Sequence, residues 1–223
     1  MTERSVVITG AAGGVGQALV DEFRGNGWKV IGTDVKNRPE QLVVDDWVQG
    51  DLSTTSTREA LHNTVGSALS AVINNAAVQF NSSFRMTTEE ELLRSFEVNV
   101  LAGALLVRDL ADPLSRSAGA IVNVGTVHSV ATSANVFPYS FSKSALLGFT
   151  RSVAIEMAAE QVRCNAVLLG AVDTPMLRDG FARRQHPDGA DGNRRDLIEK
   201  TPLQKIASPQ EVAPAVRFFA DST

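Results

Sequence analysis

The sequence predicts an α/β fold, in which one doubly wound parallel sheet of about six strands is covered by helices on both faces. Short apolar segments rich in β-branched residues alternate with longer segments of helical periodicity along most of the 223 residues. The segments between the later strands are long enough to hold a crossover helix, as parallel neighbours require. No linker or change of composition interrupts this alternation, so residues 1–223 are predicted to form a single domain.

The strand-like segments are 4–10, 28–34, 47–51, 69–77, 119–126 and 162–172. Helical spacing of apolar residues predicts helices over 15–27, 88–114 and 139–160. A last helix is predicted to begin near Ser208, which can cap its N-terminus, with Pro209 in the first turn.

Residues 177–200 depart from this pattern, because they are charged, weakly periodic and contain Gly180, Gly189 and Gly192. A long loop inside a compact domain usually has a function or is disordered. We expect this segment to be a mobile lid that closes over the substrate and excludes water.

Composition excludes several classes of protein. The formal net charge of −4 gives no reason to expect nucleic-acid binding, and no apolar run is long enough for a membrane span. The single cysteine, Cys164, cannot form an internal disulfide and fits a reducing compartment. The three histidines and the cysteine are scattered, without the spacing typical of a zinc site. We therefore expect a cytoplasmic protein with no metal, no nucleic-acid partner and no membrane partner.

Glycines cluster where the first strand turns into the first helix, at Gly10, Gly13, Gly14 and Gly16. Glycine permits a tight turn and lets backbone N–H groups approach a pyrophosphate, which the following helix N-terminus also favours. Asp34, at the end of the second strand, can accept hydrogen bonds from the ribose hydroxyls of NAD and would repel the 2′-phosphate of NADP. The alternatives are an ordinary glycine turn and a solvated acid in a turn. The combination of the glycine cluster with Asp34, at this spacing, favours a site for NAD.

The stretch "YSFSK" places the only tyrosine, Tyr139, four residues before Lys143. Residues i and i+4 share a helix face, and a nearby ammonium lowers the pKa of a phenol. A tyrosine with such a pKa can exchange a proton with an alcohol or a carbonyl. A surface tyrosine beside a surface lysine is the alternative.

The sequence resembles a classical short-chain dehydrogenase/reductase from Ser5 to about Ala220. The residues that carry the resemblance are Thr9, Gly10, Gly14 and Gly16 of the glycine motif, the adenine-binding acid Asp51, the stretch Asn74–Asn75–Ala76–Ala77, the helix asparagine Asn99, the pair Tyr139 and Lys143, and Leu169–Gly170 with Thr174–Pro175. Their order and spacing make the resemblance specific.

The resemblance implies a Rossmann fold and hydride transfer between NAD and a carbonyl or secondary alcohol. Tyr139 would be the general acid or base, Thr126 would hold the substrate oxygen, Lys143 would bind the nicotinamide ribose, and Asn99 would position a water. The expected cofactor contacts are Thr9, Gly10, Gly14, Val15, Gly16, Asp34, Asp51, Leu52, Asn75, Ala76, Lys143, Gly170, Val172 and Thr174.

The sequence departs from the family pattern in three places. Thr126 stands where the family has its catalytic serine, and Ser129 is the alternative donor. Ala77 replaces a glycine, and the family's seventh strand is not recognisable after the last helix. Strand 162–169 is then the expected sheet edge, which residues 200–223 or a second subunit could cover, unless the sequence is a shortened form of a longer protein. The resemblance implies a homo-oligomer, dimeric rather than tetrameric, through helices 88–114 and 139–160.

Two other functions stay open from the sequence alone. A non-catalytic NAD-binding regulator or scaffold could use the same fold, and so could a lyase or epimerase with the same site. The substrate pocket should be lined by residues 78–85, 127–137 and 170–200, where His128 is either a lining residue or an ordinary loop histidine.

Overall fold

The computed structural model describes residues 4–221, so the ends of the predicted domain lie outside the described residues. Its strands are β1 (Ser5–Thr9), β2 (Lys29–Asp34), β3 (Asp46–Gln49), β4 (Ala71–Asn74), β5 (Ala120–Thr126) and β6 (Arg163–Leu169). They form one sheet in the order β3-β2-β1-β4-β5-β6, and every pair is parallel. The predicted fold class is confirmed, and each of the six predicted strands overlaps an observed one.

The helices are α1 (Gly14–Gly25), α2 (Thr55–Val65), α3 (Glu89–Phe96), α4 (Ala102–Asp109), α5 (Ala111–Arg116), α6 (Phe137–Glu156), α7 (Pro175–Arg183), α8 (Gly189–Lys200) and α9 (Pro209–Ala220). Helices α1 and α9 pack on one face of the sheet, around a core that includes Phe23 and Val216. Helices α2, α4 and α6 cover the other face, around a core that includes Leu61 and Leu106. Burial of these two apolar faces fixes the three-layer arrangement.

Two sequence predictions need correction. Helix α2 was not predicted, because its sequence "TSTREALHNTV" is polar and buries only Thr57, Arg58 and Leu61. The segment expected to be a loop contains α7, which Thr174 caps through a hydrogen bond from the N–H of Leu177, and α8. Closure of residues 177–200 over a substrate stays a prediction.

The carboxyl ends of the strands lie along one edge of the sheet. The chain leaves β1 for one side of the sheet and β4 for the other, so a crevice opens between the loops that follow these two strands. Open parallel sheets bind their ligands at such a switch point. Most of the residues singled out from the sequence lie on the loops along this edge.

Strand β6 is the edge of the sheet among the described residues, as expected from the sequence. The guanidinium of Arg163, its first residue, donates hydrogen bonds to the main-chain oxygens of Phe219, Ala220 and Asp221. These bonds satisfy carbonyls at the C-terminal end of α9 and tie that helix to the sheet. None of the described helices is long and apolar enough to cross a membrane.

Candidate active site

The glycine loop lies against the loop that follows β4. Gly10 has φ +64°, a backbone conformation that favours glycine, and a Cβ added there would lie 2.8 Å from the Cα of Ala76. A Cβ on Gly16 would lie 2.1 Å from the oxygen of Gly10. The hydroxyl of Thr9 accepts hydrogen bonds from the N–H groups of Asn75 and Ala76, both at 2.9 Å. These contacts bring the two loops expected to bind the cofactor into direct contact and leave no room for side chains on the glycines.

Asp34 lies beside the glycine loop, as its position at the end of β2 predicts. One carboxylate oxygen accepts a hydrogen bond of 3.0 Å from the N–H of Ala12, and the other accepts one of 3.0 Å from the N–H of Lys36. Both bonds fix the carboxylate at the edge of the loop where an adenosine ribose would lie. Neither bond prevents the carboxylate from accepting further hydrogen bonds, because each oxygen has a second lone pair.

Asp51 follows β3 and is held by Arg94 of α3 at 2.9 Å and by the N–H of Ser53 at 2.9 Å. Arg94 also contacts Glu97 at 2.6 Å. Burial opposes ionisation of Asp51, but the hydrogen bonds from Ser53 and Arg94 outweigh it, so the pKa of Asp51 is lowered. The carboxylate is therefore ionised and fixed in position.

Asn99 lies in a single π-helical turn, Glu97–Leu101, between α3 and α4. Such a turn widens the helix, and it often marks a functional position. The side chain is buried and bonds both main-chain groups of Val78, with its Oδ1 accepting at 2.8 Å and its Nδ2 donating at 3.0 Å. The Nδ2 of Asn99 also donates to the hydroxyl of Ser142 at 2.9 Å. That hydroxyl in turn donates to the main-chain oxygen of Tyr139 at 2.9 Å. Asn99 thus ties the loop after β4 to the helix that carries Tyr139.

Tyr139 and Lys143 lie on α6, and Thr126 is the last residue of β5. The hydroxyl of Thr126 lies near the phenol of Tyr139, close enough to lower the phenol pKa. Lys143 is buried, and its Nζ donates to the oxygen of Val124 at 2.8 Å. Three of the four residues that the sequence assigns to catalysis, Thr126, Tyr139 and Lys143, therefore lie near the carboxyl end of β5, and the fourth, Asn99, is linked to α6 through Ser142.

The pKa values at this site differ from the sequence expectation. Burial raises the pKa of Tyr139 to about 12, and the hydrogen bond with Thr126 offsets only part of that rise. Burial lowers the pKa of Lys143 to about 8. The expected lowering of the phenol pKa by the lysine is absent in this structure, where the ammonium binds the oxygen of Val124.

Ser129 and His128 lie on the 3₁₀ turn after β5, Val127–Ser129. The N–H of His128 donates to the hydroxyl of Thr126 at 3.3 Å. The Oγ of Ser129 and the Nδ1 of His128 are buried without a hydrogen-bond partner. Burial and then the charge of Arg184 lower the pKa of His128. Thr126, whose hydroxyl contacts Tyr139, is thus better placed than Ser129 to be the hydroxyl donor.

The loop after β6 closes the far side of the crevice. A Cβ on Gly14 would lie 2.9 Å from the Cγ2 of Thr174, so this loop touches the glycine loop. Val172 pairs with Ala207 in a parallel bridge, while a Cβ on Gly170 would meet nothing within 4 Å. Of the predicted cofactor residues of this loop, Thr174 thus lies against the glycine loop, while Gly170 shows no steric need for glycine.

Three residues of the site were missed by the sequence analysis, namely Arg58, Arg94 and Ser142. Arg94 and Ser142 hold the predicted residues Asp51 and Asn99 by their side chains. Their helical spacing gave no signal, because a charged or hydroxyl residue on a helix is usually solvated.

The sequence matches a family described as short chain dehydrogenase over residues 4–185. Among curated proteins, it is 31% identical to the protein FixR of Bradyrhizobium diazoefficiens, over 96% of this chain and 79% of that protein. It is 27% identical to the oxidoreductase UcpA of Salmonella typhimurium, over 99% of this chain and 88% of that protein.

Solved structures give the same result. The ligand-free aldohexose dehydrogenase of Thermoplasma acidophilum superposes with a TM-score of 0.90 at 28% identity, covering 98% of this chain and 87% of that one. The protein ElxO with NADP bound superposes with a TM-score of 0.87 at 21% identity, over 99% and 92%, which shows the fold alone. The family match spans most of the chain and the relatives cover nearly all of it, so the chain belongs to the short-chain dehydrogenase/reductase family of oxidoreductases, which bind a nicotinamide cofactor.

Proposed function

We propose that this protein is an NAD-dependent dehydrogenase or reductase that interconverts a secondary alcohol and a carbonyl compound, with Tyr139 as the general acid and base. The observation that carries the proposal is the contact between the phenol of Tyr139 and the hydroxyl of Thr126, beside the buried Lys143. Two hydroxyl groups that meet in one place can both reach a single substrate oxygen.

The crevice fits a dinucleotide. The absence of side chains at Gly10 and Gly16 lets the glycine loop pack closely on itself and on the loop after β4, beside the N-terminus of α1, where a pyrophosphate would bind. Asp34 and Asp51 would accept hydrogen bonds from the adenosine half, and the residues after β4 and β6 would contact the nicotinamide half. NAD, when bound, supplies or accepts the hydride.

In the reducing direction, the phenol of Tyr139 gives its proton to the carbonyl oxygen of the substrate. At a pKa of about 12 this phenol is protonated at neutral pH, as an acid must be. Thr126 donates a hydrogen bond to the same oxygen and stabilises the charge that develops there. In the oxidising direction, the phenol must lose its proton. We infer that Lys143 then turns its ammonium from the oxygen of Val124 toward the phenol and the cofactor ribose, which lowers the phenol pKa.

Preference for NAD over NADP is part of the proposal and rests on Asp34. The bonds from Ala12 and Lys36 fix its charge beside the glycine loop, where a 2′-phosphate would be repelled. ElxO binds NADP, so the fold itself does not exclude that cofactor, and the proposed choice of NAD depends on such local charges. We also propose that the protein is located in the cytoplasm and that it binds a small carbonyl or alcohol compound as its substrate.

Replacement of Tyr139 by phenylalanine tests the mechanism, because it keeps the ring and removes the proton. General acid–base catalysis contributes about 10²–10⁴-fold, so kcat should fall by about that factor. The measurement is NADH oxidation with a panel of ketones, followed by absorbance of the nicotinamide, with NADH affinity as the control. Near-normal turnover in Tyr139→Phe would end the mechanism. NADH binding without turnover on any ketone would favour the non-catalytic regulator instead.

A further inference from the structure

We propose that Arg58 is a positioning residue for the adenine end of the cofactor, because it holds the main chain of the loop that carries Asp51. The inference rests on the proposed function, since it needs a cofactor whose adenine lies against Asp51 and Leu52. Arg58 was not among the residues singled out from the sequence.

Arg58 lies in the first turns of α2 and is 5% exposed. Its Nη1 donates to the main-chain oxygens of Leu52 at 2.8 Å and Ser53 at 3.0 Å. Its Nη2 donates to the hydroxyl of Thr55 at 3.3 Å. A buried arginine with these main-chain contacts holds the backbone of the loop in one conformation, because its planar donors require the acceptor oxygens to lie at fixed positions.

The contact reaches Asp51 through a single residue. The carbonyl of Ser53 accepts from Arg58, and the N–H of Ser53 donates to the carboxylate of Asp51 at 2.9 Å. Arg94 holds the other carboxylate oxygen of Asp51 from α3. The loop is therefore fixed from two sides, and a shift of residues 52 and 53 must move the Asp51 carboxylate relative to Arg94.

Asp109 of α4 orients the guanidinium from behind. The Nε of Arg58 donates to one of its carboxylate oxygens at 2.9 Å, while Arg108 binds the other at 2.8 Å. Burial opposes ionisation of Asp109, but Arg108 and Arg58 outweigh it and lower its pKa. The charge pair thus persists at neutral pH and connects the adenine loop to α4, the helix that follows the turn of Asn99.

Binding of cofactor halves tests this role. ADP carries the adenine half, and reduced nicotinamide mononucleotide (NMNH) carries only the nicotinamide half. In Arg58→Met, the Kd for NADH and for ADP should each rise about tenfold, which corresponds to the loss of one hydrogen bond to a charged group. The Kd for NMNH should stay within about twofold of the original value. Arg58→Lys, which keeps the charge but lacks the forked donors, should fall between the two.

Asp109→Asn is a second variant, for use if Arg58→Met does not fold. It keeps Arg58 and its hydrogen bonds to the two main-chain carbonyls. In Asp109→Asn, the Kd for NADH and for ADP should rise by a smaller factor than in Arg58→Met, and the Kd for NMNH should stay unchanged. Arg163→Met is the matched control, since Arg163 also holds main-chain carbonyls but lies at the opposite end of β6 from the crevice. It should lower the melting temperature without changing the ratio of the NADH and NMNH affinities.

Equal weakening of all three ligands, or none, in Arg58→Met and Asp109→Asn would overturn the positioning role. Failure of the proposed function gives different results in the unaltered protein. A non-catalytic regulator would bind NADH without turning over any ketone, and a protein without a dinucleotide site would bind neither NADH nor ADP.

Discussion

The Nζ of Lys143 donates a hydrogen bond of 2.8 Å to the main-chain oxygen of Val124, and both residues are buried. The bond ties α6 to β5 two residues before Thr126, so it fixes the helix that carries Tyr139 against the strand that carries its partner hydroxyl. It also explains why the phenol is not acidic in this structure. The ammonium binds a carbonyl in place of the phenol, and burial alone then sets the direction of the pKa shift.

Lys143 should make the stability of the protein depend on pH. Its pKa is lowered from 10.5 to about 8 by burial, so above pH 8 the unfolded chain binds the proton more than the folded chain does. The free energy of unfolding should therefore rise with pH through this range. Burial of Tyr139 and of Cys164 has the opposite sign, because it raises both pKa values, but those effects begin near pH 9 to 10. The useful window is pH 7.5 to 9.

Urea denaturation across that window checks this prediction in Lys143→Met. The variant should lose the slope and be more stable at pH 7 by on the order of 1–3 kcal/mol, since the cost of burying the ammonium charge has been removed. Its activity should be lost. Tyr139→Phe is the control and should keep the slope. A Lys143→Met protein with the original slope would show that another group titrates.

Thr126 should be replaceable by serine but not by valine. Serine keeps the hydroxyl that contacts Tyr139, whereas valine keeps the shape and removes the donor. Loss of one donor to a developing oxyanion lowers kcat about 10²–10³-fold. The kcat of Thr126→Val should therefore fall by that factor, and the kcat of Thr126→Ser by only a few-fold. Steady-state kinetics with one ketone suffices. Ser129→Ala is the control, and a large loss there would assign the donor to Ser129 instead.

Asp34 should determine the choice of cofactor. Ala12 and Lys36 donate to different oxygens of Asp34, so Asp34→Asn keeps an acceptor for only one of these N–H groups while it removes the charge that repels a 2′-phosphate. The ratio of kcat/KM for NADH over NADPH should therefore narrow by about tenfold, and at least as much in Asp34→Ala. If the unaltered protein prefers NADPH, the assignment of Asp34 is wrong.

The sequence predicted those parts of the site in which one residue type meets a local backbone need. Gly10 and Gly16 are examples, since each has a backbone or packing environment that excludes a side chain. Helix α2 could not be predicted from periodicity, because its buried Arg58 is satisfied by carbonyls that only the folded chain brings near it. The prediction that Lys143 lowers the phenol pKa failed for a similar reason. The spacing places Lys143 on the same helix face as Tyr139, but it does not determine whether the ammonium binds the phenol or the main-chain oxygen of Val124.

The last prediction concerns the homo-oligomer. Phe84, Phe137, Phe141 and Phe96 form a row of ring contacts with centroids 5.0 to 5.8 Å apart. Phe141, on α6, is 50% exposed, and Leu93 and Leu101 on the neighbouring helical segment are 63% and 52% exposed. We propose that a second copy covers this face, because exposed aromatic and aliphatic side chains on two adjacent helices suit an isologous contact.

Phe141→Asp should convert the dimer to a monomer, because it places a charge in the apolar contact. Phe218→Asp is the matched control, as Phe218 is 65% exposed on α9, away from this row. Light scattering at micromolar concentration measures the mass of each variant. A monomeric unaltered protein would contradict the interface, and a tetramer that Phe141→Asp leaves intact would place the contacts elsewhere on the molecule.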